Sequence, residues 1–201
     1  MSTVNTGMLT DLGSESSEAH HPAEIGVWLF VFADMCIFAM YFGVFVWEKN
    51  LNPVMFSEGQ ATLNTQLGGA NTVMLLISSY FTAKAVHSAR VLSFDAFRRF
   101  IKLTMLFGFA FLSVKFVEYS DKFSAGFDIA SNAFYRNYFS FTGFHLLHVI
   151  LGLSFLGWLL FSIKNVDQLK ENVKASEGVG LYWHMVDLLW VVLFSLIYLV
   201  P

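Results

Sequence analysis

Five long apolar runs organise this chain, at about residues 25–47, 68–89, 101–117, 138–163 and 179–200. Within each run the hydrophobic residues follow one another instead of recurring on one helical face, which is the pattern of helices surrounded by lipid. At about 1.5 Å per residue the first run reaches ~34 Å, enough to cross a bilayer core of about 30 Å. The chain is 56% hydrophobic and 13% charged, where an ordinary soluble domain carries about 25% charged residues. That is too little charge to clothe a water-facing surface. With three prolines, one cysteine and a net charge of -3, the composition also argues against a disordered chain, a disulfide-stapled domain and a nucleic-acid partner. Cys36 has no second cysteine to pair with, so it carries no redox information.

The expected fold class is therefore all-α, an integral-membrane bundle of five transmembrane helices in one membrane domain over 25–201. Residues 1–24 form a polar acidic tail (Asp11, Glu15, Glu18, Glu24) without Lys or Arg, unlike a signal peptide, and read as soluble and disordered. His21-Pro22 places a proline near the first helix start, and Asn52-Pro53 can cap a short surface helix in the first loop. Eight of the 12 Lys and Arg residues (Lys84, Arg90, Arg98, Arg99, Lys102, Lys164, Lys170, Lys174) fall on the face shared by the tail and the second and fourth loops. Lys49, Lys115, Lys122 and Arg136 fall on the other. The positive-inside rule then puts the N-terminus in the cytoplasm and the C-terminus outside.

Ionisable side chains in a hydrocarbon layer each call for a partner, because an unpaired one costs several kcal/mol. Asp34 lies about 14 Å into the first span at the helical rise, and Asp187 comes to a similar depth from the same side in the fifth. His184 and Asp187 share a face at i, i+3, as do His145 and His148 in the fourth span. Lys115 and Glu118, again i, i+3, sit at the outer end of the third span, where an interfacial ion pair is expected. Three readings are open for these groups. They fasten helices together; or Asp34, His148 and Asp187 form a proton-handling cluster; or the histidines ligate haem or metal. The last lacks the inward glutamates of a diiron bundle, since Glu118 alone is within a span.

Asn71, Ser78 and Thr82 run at i, i+7 and i+11 down one face of the second span, as a helix seam or as the lining of a lipid or water file. Gly68, Gly69, Gly143, Gly152 and Gly157 read as small residues that allow close helix approach. Trp28, Trp47, Tyr138 and Tyr182 lie near span ends and suit interfacial belts. No Gly-rich phosphate loop, Cys-x-x-Cys, serine nucleophile elbow or His-Glu-x-x-His occurs.

Several strings resemble a known family. Tyr182-Trp183-His184-Met185-Val186-Asp187-Leu188-Leu189-Trp190 is similar to the YWHFVDxxW signature of the last helix of haem-copper oxidase subunit III. Thr142-Gly143-Phe144-His145-Leu146-Leu147-His148-Val149 resembles the TGFHxxHV string of its penultimate helix. Phe116-Val117-Glu118-Tyr119, and Asn71-Thr72 with Ser78-Ser79, resemble two further blocks, and the likeness runs through all five spans in order. It fits the five-helix form of the subunit, found in quinol oxidases, actinobacterial cytochrome oxidases and a protein associated with nitric-oxide reductase. The family's long form carries a buried Glu where this chain reads Ala33-Asp34-Met35, one methylene shorter.

The resemblance implies a subunit with no catalytic centre, no metal and no cofactor of its own, in a bacterial-type plasma membrane. It would pack against a catalytic subunit I that holds the haem and copper, bind structural phospholipids, stabilise that subunit and support proton uptake during cytochrome c or quinol oxidation by oxygen. The alternatives are an accessory subunit of a nitric-oxide reductase complex and a small membrane transporter.

Overall fold

The computed structural model describes residues 25–200. The described residues form α1 (Ile25–Leu51), α2 (Pro53–Ala61), α3 (Thr65–Arg90), α4 (Phe94–Ser124), α5 (Ala133–Ser162), α6 (Val166–Glu171) and α7 (Val173–Phe194), continued by one π-helical turn, Ser195–Leu199. The acidic tail and the His21-Pro22 helix entry lie outside them. Four of the helices, α1, α4, α5 and α7 with its π-helical turn, are long and apolar enough to cross a membrane. α3 has 26 residues, ~39 Å at the helical rise, but its hydroxyl and amide side chains dilute its apolar character.

The helices overrun the apolar stretches that announce them, most of all α4, which starts seven residues before Ile101 and ends at Ser124. Polar caps set the ends. Asn64 accepts from the Leu67 amide, Asn132 from Tyr135 and Asn165 from Gln168, each satisfying one of the first amides, which have no partner inside the helix. The short surface helix α2 is present with Pro53 at its first turn, but the Asn52 side chain makes no capping bond. Leu92 takes a left-handed conformation, φ 54°, in the three-residue turn that reverses α3 into α4.

α7 runs antiparallel to α3 and to α5 and is the most enclosed helix. Along α3, Gly68 faces Tyr198, Thr72 meets Trp190, Ser78 meets Trp183 and Thr82 approaches Gly180. Trp183 is fully buried because two glycines make room for its indole. A Cβ at Gly152 would lie 2.7 Å from the ring, and one at Gly108 3.1 Å. Gly68 is likewise crowded by Phe194 at 2.9 Å. Gly69, Gly143 and Gly157 have only loose contacts at 3.8–3.9 Å, so close approach rests on Gly68 and Gly152 among the glycines singled out from sequence, and on Gly59, Gly108 and Gly180 besides.

The two ends of the bundle are polar in different ways. At one, the end of α1 and the surface helix α2 meet the turn that follows α7. The Gln60 amide donates to the carbonyls of Leu196 (3.3 Å), Ile197 (3.0 Å) and Val200 (2.8 Å), and Lys49 donates to Val200 at 2.6 Å. These bonds satisfy carbonyls that a helix C-terminus leaves free. Arg136 and Asn137 of α5 both reach Glu48 of α1, at 3.0 and 2.5 Å, and Lys122 donates to the Thr62 carbonyl. At the other end, Arg90 of α3 pairs with Glu177 of α7 at 2.7 Å.

Candidate functional site

The ionisable side chains within the helices do not gather into one centre. Apart from His145 and the Arg90–Glu177 and Arg136–Glu48 pairs at the two ends of the bundle, the buried ones form three separate groups, each bridging different helices.

The first group joins α1 to α5. Asp34 Oδ1 lies 3.1 Å from His148 Nε2, and His148 Nδ1 lies 2.8 Å from its own helix's Phe144 carbonyl. A carbonyl only accepts, so Nδ1 carries a hydrogen. Nε2 and Oδ1 would then be two acceptors face to face unless one proton lies between them. Tyr182 of α7 closes the group by donating to the His148 carbonyl at 3.1 Å, and Phe38 packs edge-on against the imidazole. Asp34 is buried, and its second oxygen has no partner among the described residues.

The second joins α3 to α7. Ser79 Oγ lies 2.6 Å from His184 Nδ1, and Asp187 follows His184 by three residues on the same helix face. Asp187 is 3% exposed, and neither carboxyl oxygen has a hydrogen-bond partner among the described residues. Asp187 thus neighbours His184 along α7, and no hydrogen bond joins it to the Asp34–His148 pair among the described residues.

The third is the most enclosed. Lys115 is fully buried and donates to Glu118 Oε2 at 3.0 Å, to the Tyr138 hydroxyl at 3.3 Å and to the Tyr198 hydroxyl at 3.1 Å. Tyr138 donates to Glu118 Oε1 at 2.7 Å, and Tyr198 donates to the same oxygen. Rings of Tyr119, Tyr138, Trp190 and Tyr198 surround the ammonium at 5.2–5.8 Å, close enough for cation–π attraction. The expected ion pair forms, but in the interior rather than at the interface, because α4 continues well past Glu118. Tyr138 and Tyr182 are correspondingly buried, while Trp28 and Trp47 are exposed.

His145 faces none of these groups by hydrogen bond. It is fully buried between Phe111 and Trp190, with ring centroids 5.7 and 5.2 Å away, and neither nitrogen has a partner among the described residues. No three His, Cys, Asp or Glu side chains among the described residues converge as a metal-binding group. The stripe on α3 is buried throughout. Ser78 donates to the Thr104 carbonyl of α4 at 3.0 Å and accepts from the Trp183 indole at 3.1 Å, and Thr82 donates to Thr104 Oγ1 at 3.2 Å. Asn71 is enclosed, with both amide atoms unpartnered among the described residues. Ser79, Tyr138 and Tyr198 are the participants that sequence reasoning assigned elsewhere or passed over. Ser79 is adjacent to the stripe, and Tyr138 lies within the span that carries the paired histidines.

Residues 8–200 match the cytochrome c oxidase subunit III family. Among curated relatives, cytochrome c oxidase subunit 3 of Synechocystis sp. is 31% identical over 96% of this chain and 86% of its own length. A probable cytochrome c oxidase subunit 3 of Nocardia farcinica is 33% identical over 82% of this chain and 79% of its own. Cytochrome bo(3) ubiquinol oxidase subunit 3 of Buchnera aphidicola is 26% identical over 94% of each. With the family match running through every described helix, the chain belongs to the cytochrome c oxidase subunit III family.

Proposed function

We propose that this protein is the multi-pass membrane subunit III of a respiratory haem-copper oxidase and has no catalytic centre of its own. The observation that carries this reading is the family match over residues 8–200. The three polar groups agree with it, since each joins one helix to another. In this reading α3 is the fifth span, beside the four more apolar helices, and the N-terminus is cytoplasmic. The partner is the catalytic subunit that holds haem and copper, in a bacterial-type plasma membrane. The relatives cited are subunits of cytochrome c and quinol oxidases, which favours oxygen over nitric oxide as the acceptor.

Lipids are the second class of partner. A groove of about 850 Å³ between α1, α5 and α7 is lined by Phe30, Phe155, Trp158 and Tyr182, with Lys174 as its cation. Its walls suit an acyl chain, and the lysine suits a phosphate headgroup.

The Asp34–His148 pair is the group best suited to support proton uptake, because it sets an imidazole against a carboxyl, bridges two helices and leaves one carboxyl oxygen unbonded among the described residues. Replacing Asp34 with Asn keeps the shape and removes the carboxyl. The expected result is a complex that assembles normally, with slower proton uptake and a shorter turnover lifetime. Unchanged oxygen consumption, proton pumping and lifetime would leave the pair as a helix fastening only.

A further inference from the structure

The end of the bundle where α3 turns into α4 is strongly cationic. Residues 84–102 hold Lys84, Arg90, Arg98, Arg99 and Lys102 against a single acid, Asp95. Arg90 is taken by Glu177. Lys84, Arg99 and Lys102 are exposed and Arg98 is half-buried, and none of these four has an ion-pair partner among the described residues. With 26 and 31 residues, α3 and α4 are ~39 and ~46 Å long, about the full 40–45 Å of a bilayer with its headgroups. The four cations lie four to eight residues inward from the shared end of the two helices, ~6–12 Å at the helical rise. That is the level of lipid phosphates and the first acyl carbons.

Beneath the cations lies a shelf of rings between the two helices. Phe81 of α3 stacks on Phe100 and on Phe107 of α4, with centroids 6.2 and 5.9 Å apart, and Tyr80 stands edge-on to Phe81 at 5.6 Å. The shelf begins at the charges. The Lys84 ammonium lies 5.6 Å from the centre of the exposed Tyr80 ring, and Arg99 adjoins Phe100 in the chain. From Phe100 to Phe107 it descends ~10 Å toward the membrane centre. A face at this depth is covered by lipid or by another helix, and charge separates the two. A covering helix would have to bring carboxylates into the membrane to match the cations, at a cost for each. An anionic phospholipid carries its phosphate at this level already. A neutral lipid would leave the cations unmatched, and a soluble anion would have no use for the rings.

We propose that this corner of α3 and α4 binds an anionic glycerophospholipid, its phosphate held by Lys84 and Arg99 and an acyl chain lying along Phe81, Phe100 and Phe107. Arg98 and Lys102 add to the positive potential that selects the headgroup. The site is separate from the groove beside Lys174, which lies between α1, α5 and α7. It requires that the chain sit in a bilayer and does not depend on the oxidase assignment.

The test uses the full protein, purified in mild detergent with whatever it carries from native membranes and exchanged into nanodiscs of phosphatidylcholine containing a small fraction of phosphatidylglycerol. Native mass spectrometry counts the lipids that stay bound. The expected result is retention of phosphatidylglycerol in preference to phosphatidylcholine. Lys84→Gln with Arg99→Gln should weaken that retention by about 30-fold, some fivefold for each cation. Lys164→Gln with Lys170→Gln removes two exposed cations from the α5–α6 connection and α6, away from the rings, and should leave it unchanged. Phosphatidylcholine held as tightly as phosphatidylglycerol, undiminished retention in the Lys84 and Arg99 double variant, or an equal loss in the Lys164 and Lys170 double variant would each overturn the proposal.

Discussion

The Lys115 ammonium and the Tyr198 hydroxyl lie 3.1 Å apart, although 83 residues separate them in the chain. The contact ties the middle of α4 to the π-helical turn that follows α7, and Glu118 and Tyr138 complete it. Removing one partner of a buried ion pair leaves the other charge uncompensated, at a cost of about 3–5 kcal/mol. Lys115→Ala should therefore lower the unfolding midpoint in mild detergent sharply. The double replacement Lys115→Met with Glu118→Met removes both charges and should recover most of the loss. Equal destabilisation by the single and double variants would contradict an interior ion pair.

Tyr198→Phe keeps the ring over the ammonium and removes the hydroxyl that Glu118 and Lys115 use. A hydrogen bond to a charged group contributes about 1.5–3 kcal/mol, so this variant should be destabilised by about that amount. Limited proteolysis should cut its C-terminal turn sooner than that of the native chain. A cleavage rate equal to the native one would show that Gln60 and Lys49 hold the turn without help.

Gly152 and Gly108 admit the Trp183 indole between α4, α5 and α7. A methyl group at Gly152 meets ring carbons 2.7 Å away, and the indole cannot retreat without losing its bond to Ser78. Gly152→Ala should cost about 1–3 kcal/mol as overpacking, read as a lower detergent melting temperature and a shifted Trp183 emission. Gly143→Ala, where the nearest atom is 3.9 Å away, should be tolerated.

Orientation is open to direct measurement because Cys36 is the single cysteine. In a Cys36→Ser background, Asp128→Cys lies in the connection between α4 and α5, and Lys164→Cys lies between α5 and α6. A membrane-impermeant maleimide added to intact cells should label the first and spare the second. The reverse pattern would place the N-terminus outside.

How much of this was legible from sequence depended on the range of each interaction. Lys115 and Glu118 could be paired on paper because i, i+3 neighbours on a helix must meet. Asp34 and Asp187 were visible as costly residues, but their surroundings were not. His148 is 114 positions from Asp34, and nothing in an apolar run marks which of its faces meets which neighbour. The same blindness placed Tyr138 and Tyr182 in an interfacial belt, although both are buried. A tyrosine near the end of an apolar run looks the same whether lipid or a longer helix lies beyond it. Helices such as α3 and α5 begin ahead of their hydrophobic stretches because the caps Asn64 and Asn132, not hydropathy, decide where they start.

Co-purification tests the central claim most directly. The tagged chain, drawn from native membranes in mild detergent, should bring with it a large catalytic subunit identified by mass spectrometry and a visible haem spectrum. Haem with no partner chain, or a colourless chain that isolates alone, would contradict the assignment to an oxidase complex.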